Sequence, residues 1–342
     1  MAGAAWRVRP YRAGDEAALV ALWNAALPVD PIDEPTLAAR VLVDPNFLPS
    51  GLLVAEALGP ARATGVDAGS LLGFVLALSR RVPLAPGEGL EADTGWLTAF
   101  GVRPEVRRAG LGTALLEAAC GELATRGCRR VEVSPYAPGY FWPGVDRAAY
   151  PEALALLAAR GFATLYEAVA MERSLFGYCP PDDALAGRAA LEREGVRFCP
   201  LQPSTVLPLL EWSGRVFHAD WARAVREAVA RRLPWGRTLL ALAPDGAILG
   251  FAQYGAYDYS ADRFGPFGVD PAARRRGIGR VLLHACLQAM QRDGLRCAWF
   301  LWTGERSPAG ALYQGAGFRV ARRFVLLKRD LAAAAPAASG AP

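Results

Sequence analysis

The chain has little lysine, little histidine and no closely spaced cysteines. Lys328 is the only lysine among 342 residues, and His218 and His284 are the only histidines. The six cysteines are scattered without a C-x-x-C pair, which argues against both a zinc site and a disulfide framework. We therefore expect reduced thiols, most of them in the core, and no bound metal.

The sequence also lacks long apolar runs and blocks of like charge. No segment approaches the roughly 18 apolar residues that a membrane span needs, and the first residues do not resemble a secretory signal. The formal charge is +5, but arginines alternate with acidic residues instead of forming a basic patch. These absences disfavour membrane and nucleic-acid partners and predict a cytoplasmic protein.

An internal repeat divides the chain into two domains, as its length suggests at about 150 residues per domain. The segments GVRPEVRRAGLGTALL (Gly101 to Leu116) and GVDPAARRRGIGRVLL (Gly268 to Leu283) share Gly, Val, Pro, two arginines, two glycines and two leucines. The repeat is far longer than a solenoid unit, so each copy is expected to be a whole domain.

Changes in composition set the predicted boundaries. The first domain is assigned to residues 1–173 and the second to 196–330. Between them, residues 174–195 carry a proline pair and then a polar, alanine-rich helix, which suits a linker. The Ala/Pro/Gly tail at 331–342 is of low complexity and is expected to be disordered.

Each copy shows the same predicted order: strand, helical region, two strands, helix, strand, helix, strand. In the second copy a hairpin is predicted for RTLLALAP and ILGFAQYGA, which a DG turn joins, and IGRVLLHACLQAMQRDG has helical periodicity. Ser307 and Pro308 are a typical N-cap and first-turn pair. This order predicts the α/β class, with a mixed central sheet flanked by helices in each domain.

The repeated turns join a strand to a long helix. After Val269, the residues ARRRGIG place glycines where the backbone must approach a ligand closely, next to a helix N-terminus and several arginines. A pyrophosphate suits such a site. Neither a Walker A loop nor a dinucleotide fingerprint fits, because Leu115 and Leu282 stand where the latter needs a third glycine. A single turn of this kind is more simply a packing device, but two matching copies favour anion binding.

The R-x-x-G-x-G pattern resembles the acyl-CoA signature of the GCN5-related N-acetyltransferases. The second copy adds ALYQGAGF, which is similar to the terminal element of that family, and the resemblance covers most of residues 6–330. It implies two tandem acyl-CoA N-acyltransferase domains that use acetyl-CoA as co-substrate and no metal. Both copies match the pattern, at Arg107, Gly110, Gly112, Arg274, Gly277 and Gly279.

The resemblance also implies which residues hold acetyl-CoA. The end of the strand would pair with the pantetheine arm, the turn amides would hold the pyrophosphate, and Phe267 and Gly268 would flank the thioester. In the second copy the implied residues are Phe267, Gly268, Val269, Arg274, Arg275, Arg276, Gly277, Ile278 and Gly279. In the first copy they are Val102, Arg107, Arg108, Gly110, Leu111 and Gly112.

The two copies differ at the implied catalytic acid. Tyr313 matches the acidic tyrosine of the family, and its alternative role is aromatic packing of helix on sheet. Leu157 stands at the matching position of the first copy, so that domain is expected to hold CoA but to be catalytically degenerate. The base on the amine side is open between Asp258, Asp262, Glu305 and a water relay.

Two further features have alternative interpretations. The first copy carries an extra stretch, PYAPGYFWPGVDRAAYP (Pro135 to Pro151), in which Tyr140 or Tyr150 is a candidate replacement acid. Such a loop also commonly packs on a neighbouring domain. His218 lies in the helical region that builds the acceptor pocket of the family, but it also fits a helix cap, and His284 is expected in the core.

These features predict an acetyl-CoA-dependent N-acetyltransferase that acts on a primary amine of a small molecule by direct attack in a ternary complex, mainly in the second domain. A non-catalytic acyl-CoA-binding or sensing protein is one alternative; Leu157 favours it for the first domain, and Tyr313 disfavours it for the second. A Fem-like aminoacyl-tRNA-dependent ligase is another, which the intact turns disfavour because those ligases do not use CoA. The acceptor amine, and the choice between monomer and homodimer, stay open.

Overall fold

The chain folds into two compact units. The computed structural model describes residues 5–60, 65–133, 136–257 and 260–331. The first unit contains the described residues of 1–83, 87–168 and 323–342, and the second contains those of 84–86 and 169–322. Within these residues, no helix is both long enough and apolar enough to cross a membrane.

The first copy follows the predicted order except that three strands, not two, lie between its helical region and its long helix, and a short extra strand precedes its last helix. Its strands are β1 (Trp6–Pro10), β2 (Leu52–Ala57), β3 (Leu71–Ser79), β4 (Thr94–Val102), β5 (Arg130–Val133), a short β6 (Val145–Asp146) and β7 (Ala163–Ser174). Its helices are α1 (Glu16–Ala26), α2 (Glu34–Leu37), which continues into a wider helical turn (Ala38–Leu42), α3 (Leu111–Thr125) and α4 (Pro151–Ala159).

The second copy repeats this order after a connecting helix, α5 (Asp182–Arg193). The strands are β8 (Arg197–Pro200), β9 (Thr238–Leu242), β10 (Ile248–Tyr254), β11 (Phe264–Val269), β12 (Cys297–Thr303) and β13 (Arg319–Asp330). The helices are α6 (Pro203–Val216), α7 (Ala219–Ala230), α8 (Ile278–Arg292) and α9 (Pro308–Gly315). The predicted hairpin is the antiparallel pair of β9 and β10, and the Ser307 side chain caps α9 by accepting from the N–H of Gly310.

In each unit, helices cover both faces of the sheet. The first unit orders its strands β1-β2-β3-β4-β5, with β4 and β5 parallel and the other neighbours antiparallel. All nine residues of β3 are buried, as expected for a strand with both faces covered. The second unit orders its strands β8-β9-β10-β11, all antiparallel, with α8 packed on one face and α6 and α7 on the other.

The last strand of each copy completes the unit that the other copy begins. In the first unit, residues 323–330 of β13 pair antiparallel with β5, with Leu327 opposite Val133. In the second unit, residues 169–174 of β7 pair antiparallel with β12, with Met171 opposite Phe300. The spatial units therefore depart from the division into 1–173 and 196–330, because the C-terminal part of β7 belongs to the second unit and that of β13 to the first.

Candidate acyl-CoA site and its aromatic opening

The turn between strand and helix has the same backbone conformation in both units. Arg275 and Gly277 have φ of 63° and 85°, and Arg108 and Gly110 have φ of 65° and 85°. Left-handed backbone of this kind costs glycine little but costs other residues about 1–2 kcal/mol. A Cβ added to Gly277 or Gly110 would meet no atom within 4 Å. Both glycines are therefore required by backbone conformation and not by crowding.

The first arginine of the pattern fastens the turn to the strand that precedes it. Nε of Arg274 donates to the carbonyl of Val269 at 3.2 Å, and Nε of Arg107 donates to the carbonyl of Val102 at 3.1 Å. Arg107 also donates from Nη2 to the carbonyl of Ala26 at 3.1 Å. In each unit the guanidinium thus holds the end of the strand and the turn together.

Two further arginines of the second unit pair with carboxylates of the α5 region. Nη2 of Arg276 lies 2.9 Å from Oε2 of Glu194, and Nη2 of Arg280 lies 2.7 Å from Oδ2 of Asp183. Arg276, Glu194 and Asp183 are exposed and Arg280 is partly exposed, so each pair contributes little to stability. The first copy has Ala109 in place of Arg276. The segment between the copies therefore contacts the turn of the second unit, where it was predicted to be a linker only.

The second glycine of the pattern lets the helix approach the strand. A Cβ on Gly279 would lie 3.3 Å from Cγ2 of Val269 and 3.5 Å from Cζ of Phe267. A Cβ on Gly112 would lie 3.1 Å from Cδ2 of Leu156. Both distances leave little room for a side chain, so this glycine sets the close packing of the helix N-terminus in both units.

The register of β10 and β11 decides which backbone groups are available for a ligand. The N–H of Asp270 donates to the carbonyl of Leu249 at 2.8 Å. Hydrogen-bonded and non-bonded pairs alternate along an antiparallel ladder. Gly268 is therefore bonded to β10, whereas Phe267 and Val269 direct their N–H and C=O groups away from it. The backbone groups of Gly268 are therefore used within the sheet, unlike those of Phe267 and Val269, although the sequence assigned all three residues to the acetyl-CoA site.

A gap between β11 and β12, here called the opening, lies on the side of β11 that faces away from β10. Strands β11 and β12 belong to different hydrogen-bonded sheets and meet at one parallel bridge, between Arg263 and Trp299. At this closed end, Asp262 accepts hydrogen bonds from Oγ of Ser260 (2.6 Å), Sγ of Cys297 (3.1 Å) and Nε1 of Trp299 (2.8 Å). From Phe264 to Val269, no further bridge joins β11 to β12.

Asp262 is consequently a strand-joining residue. Burial opposes ionisation of its carboxyl group, but the hydrogen bonds from Ser260, Cys297 and Trp299 prevail and lower its pKa. Its carboxylate accepts from Ser260 in the loop before β11 and from Cys297 and Trp299 on β12, which leaves it poorly suited to act as the base that the sequence left open.

Tyr313 of α9 lies among aromatic rings from both strands. Its ring centroid is 4.4 Å from that of Phe300 on β12, and 5.9 Å and 6.0 Å from those of Phe267 and Phe264 on β11. The side chain is 8% exposed, and burial raises its pKa above the ordinary value. The phenol therefore stays protonated at neutral pH, at the place where the two strands separate.

The first unit has an apolar residue in the corresponding place. Leu157 of α4 is fully buried in the core beside α3. Tyr150, which precedes α4, donates from its hydroxyl to Oδ2 of Asp30 at 2.7 Å and packs against the apolar clusters on both faces of the sheet. The first unit thus keeps the turn but has no phenol at the position of Tyr313.

The extra loop of the first copy packs on α1 of its own unit. The rings of Phe141 and Trp142 lie 4.9 Å and 6.0 Å from that of Trp23, and Tyr140 packs against the same cluster. Pro135 lies outside the described residues. The described part of the loop therefore covers the helical face of the sheet, where the sequence allowed packing on a neighbouring domain instead.

The remaining candidate residues have separate locations. Asp258 lies outside the described residues. Glu305 is partly buried in the turn before α9, and its carbonyl accepts from Nε2 of Gln314 at 3.3 Å. His218 is exposed and caps α7, because its Nδ1 accepts from the N–H of Asp220 at 3.2 Å. The capping role is therefore the one that the contacts of His218 support.

His284 is a core residue, as expected. It is 3% exposed, and its Nδ1 lies 2.6 Å from the hydroxyl of Tyr178. Burial, with smaller contributions from the charges of Arg280 and Arg173, lowers its pKa to about 4. The imidazole is therefore neutral, and it packs α8 against the segment that leads into α5.

Thiols and acids do not assemble into a metal site in the part of the chain that the structure describes. No group of three or more His, Cys, Asp or Glu residues is placed there to hold an ion. All six cysteines are free, and burial raises the pKa of Cys120 to about 11. Such a thiol is a packing residue and a poor nucleophile.

One buried polar pair carries no sequence motif. Gln253 on β10 donates from Nε2 to Oγ1 of Thr238 on β9 at 2.9 Å, and its Oε1 is buried without a partner among the described residues. The first copy has Leu76 and Leu52 at the matching positions. Alignment of the two copies is the signal that identifies this pair.

Comparison with protein families agrees with this geometry. A model described as an acetyltransferase (GNAT) domain matches residues 234–320, and one described as the acetyltransferase (GNAT) family matches residues 34–138. The two matches contain the strand, turn and helix of the second and first units, respectively. The same family is therefore found independently in both copies.

Individual relatives extend the match along the chain. A mycothiol acetyltransferase of Kineococcus radiotolerans is 31% identical over 253 residues, which cover 72% of this chain and 75% of that relative. One of Geodermatophilus obscurus is 32% identical over 154 residues, which cover 43% of this chain and about half (48%) of that relative. A tandem GNAT protein from the clavulanic acid biosynthesis pathway has the same fold, with a TM-score of 0.62, 17% identity and coverage of 95% and 98% of the two chains. The chain therefore belongs to the GCN5-related N-acetyltransferase (GNAT) family and carries two of its domains in tandem.

Proposed function

We propose that the protein transfers the acetyl group of acetyl-CoA to a primary amine of a small molecule, by direct attack in a ternary complex in the second unit. The observation that carries this proposal is the buried ring of Tyr313 between Phe267 of β11 and Phe300 of β12, in the unit whose R-x-x-G-x-G turn leads from β11 into α8. Relatives of this chain are named mycothiol acetyltransferases, so a mycothiol-type amine is the first acceptor to test.

The turn residues fit the donor. Left-handed backbone at Arg275 and Gly277 suits a concave nest of N–H groups that would bind a phosphate, and the N-terminus of α8 adds its positive dipole end. The amides from Arg275 to Gly279 would hold the pyrophosphate, and Arg274 keeps the turn in place. The C=O of Phe267 and the N–H of Val269, which are directed away from β10, would pair with the pantetheine arm.

The opening supplies groups for the chemistry. The amine nitrogen attacks the thioester carbonyl carbon, and the N–H of Phe267, directed away from β10, donates to the oxygen as it becomes negative. Tyr313 then donates its proton to the departing sulfur, since burial keeps the phenol protonated. Glu305, Asp258 or a water relay would take the proton of the amine, which needs only modest help to become neutral.

The first unit fits a binding role better than a catalytic one. Its turn has the same φ angles and the same arginine fastening as that of the second unit. Leu157 replaces the phenol and offers no proton to a departing sulfur. We therefore propose that the first unit has a second acyl-CoA site, which binds the donor but is not the main site of acetyl transfer. Its residues would be Val102, Arg107, Arg108, Gly110, Leu111 and Gly112.

Calorimetric titration with acetyl-CoA, followed by steady-state acetylation of a panel of primary amines, tests this function. Two bound equivalents are expected, together with turnover of at least one amine. A single equivalent would restrict donor binding to one unit. Absence of acetyl-CoA binding would overturn the proposal, and salt-dependent affinity for tRNA in its place would favour the ligase alternative.

A further inference from the structure

The polar pair of Gln253 and Thr238 lies on the sheet face that α6 and α7 cover. The two residues are register partners on neighbouring strands and are 0% and 3% exposed. Side chains two residues apart on a strand share a face, and Phe251 and Leu240 belong to the apolar cluster under α6 and α7. The amide group of Gln253 is therefore on the opposite face from α8.

The pair also lies beside an irregularity in the neighbouring strand. The register passes from Ala252 opposite Phe267 to Tyr254 opposite Phe264, so two residues of β11 stand opposite Gln253 alone. A bulge of this kind redirects backbone and side chains and is frequent next to active sites. Here the bulge immediately precedes Phe267, whose N–H is directed away from β10 toward the opening.

Half of the Gln253 amide has no partner. Nε2 donates to Thr238, while Oε1 has no hydrogen bond among the described residues and is buried from solvent. Exchanging the amide oxygen and nitrogen would only move the unpaired end to the nitrogen. Since an unpaired buried polar atom destabilises a fold, its presence points to a partner that the chain itself does not supply.

The first unit provides an internal comparison. Leu76 and Leu52, each 1% exposed, fill the matching positions with an apolar pair. That same unit has Leu157 where the second has Tyr313. The second unit therefore has polar groups both in the pair of Gln253 and Thr238 and at Tyr313, whereas the first unit has leucine at all three matching positions.

We propose that Oε1 of Gln253 accepts a hydrogen bond from an N–H of the acceptor amine and that Thr238 holds the amide in this orientation. The inference rests on the proposed acetyl transfer in the second unit and assigns part of its acceptor side. An amide oxygen accepts an N–H without taking a proton, so the pair orients the amine lone pair and leaves its deprotonation to another group. Because Gln253 is fully covered, the amine reaches it when side chains of α6 or α7 move aside.

Gln253→Met and the double variant Thr238→Val, Gln253→Met test this role, because they keep the volume and remove the polar atoms. We expect thermal unfolding midpoints equal to or above that of the unaltered protein and an unchanged acetyl-CoA Kd. With cysteine, cysteamine or glucosamine, whichever is acetylated best, kcat/KM for the amine is expected to fall at least 10-fold. Leu76→Met in the first unit is the matched control and should leave kcat/KM unaltered.

Two results would overturn the inference. A variant with unaltered kcat/KM, whatever its unfolding midpoint, would exclude a role of the pair in amine binding, and a variant that loses acetyl-CoA affinity would place the pair on the donor side. If the proposed function itself is wrong, the unaltered protein will fail to bind acetyl-CoA or will turn over no amine. If no amine is turned over, the unfolding midpoint of the double variant is the remaining test. A lower midpoint would contradict an unmet hydrogen bond at Oε1 of Gln253. An equal or higher midpoint would support that unmet hydrogen bond.

Discussion

The ring of Tyr313 packs 4.4 Å from that of Phe300, which joins α9 to β12 at the point where this strand separates from β11. The contact holds the phenol at the opening through ring packing, so the hydroxyl group contributes little to that placement. Removal of the hydroxyl alone should therefore separate chemistry from structure.

Tyr313→Phe is expected to lower kcat by about 100-fold or more, the usual effect of losing a general acid, and to leave the acetyl-CoA Kd unchanged. Because burial raises the pKa of Tyr313 above its ordinary value of about 10, the unaltered protein should show no loss of rate from phenol ionisation below about pH 10. Pre-steady-state and pH-dependent rates measure both effects. An unchanged kcat would assign the acid to another group.

Gly277→Val should abolish acetyl-CoA binding in the second unit. A β-branched residue is strained at φ of 85°, and relaxing that strain redirects the amides of the turn. Calorimetry should then count one bound equivalent where two are expected, with turnover lost. Gly110→Val is the matched control: it should remove the other equivalent and keep turnover. Undiminished turnover in Gly277→Val would argue against donor binding at this turn.

The exchanged strands predict that stability effects cross the sequence boundary. Leu327→Ala removes a buried side chain from the first unit, and Met171→Ala removes one from the second; each should cost about 2–5 kcal/mol. Hydrogen exchange should accelerate in β4 for the former and in β11 for the latter. Acceleration in the opposite units would show that each last strand pairs within its own copy.

His284 predicts a loss of stability on acidification. Its pKa is about 4 in the folded chain and about 6.5 when unfolded, so protons bind preferentially to the unfolded state. The resulting stabilisation, about 3 kcal/mol, is present above pH 6.5 and is lost as the pH falls to 4. Thermal unfolding against pH should be flatter over this window for His284→Asn than for the unaltered protein. The exposed His218→Asn should retain the steep dependence.

Local features of the chain were predictable because each depends on neighbouring residues. Strand, turn and helix follow from periodicity, and the first glycine of the R-x-x-G-x-G pattern follows from the left-handed backbone of the turn. Comparing the copies also located Tyr313 and its counterpart Leu157 without reference to structure. By itself, the sequence therefore determined the family resemblance, the repeat, the turns and the difference between Tyr313 and Leu157.

The tertiary structure decided how these parts are used. Strand partners are chosen among edges far apart in sequence, so the exchange of β7 and β13 carries no local signal. The direction of a backbone or side-chain group depends on register, which binds Gly268 to β10 and commits Asp262 to joining two strands. The unpaired amide of Gln253 appears only when burial and every neighbouring donor are known. Register, burial and long-range pairing are collective properties of the folded chain, which is why the sequence left them undetermined.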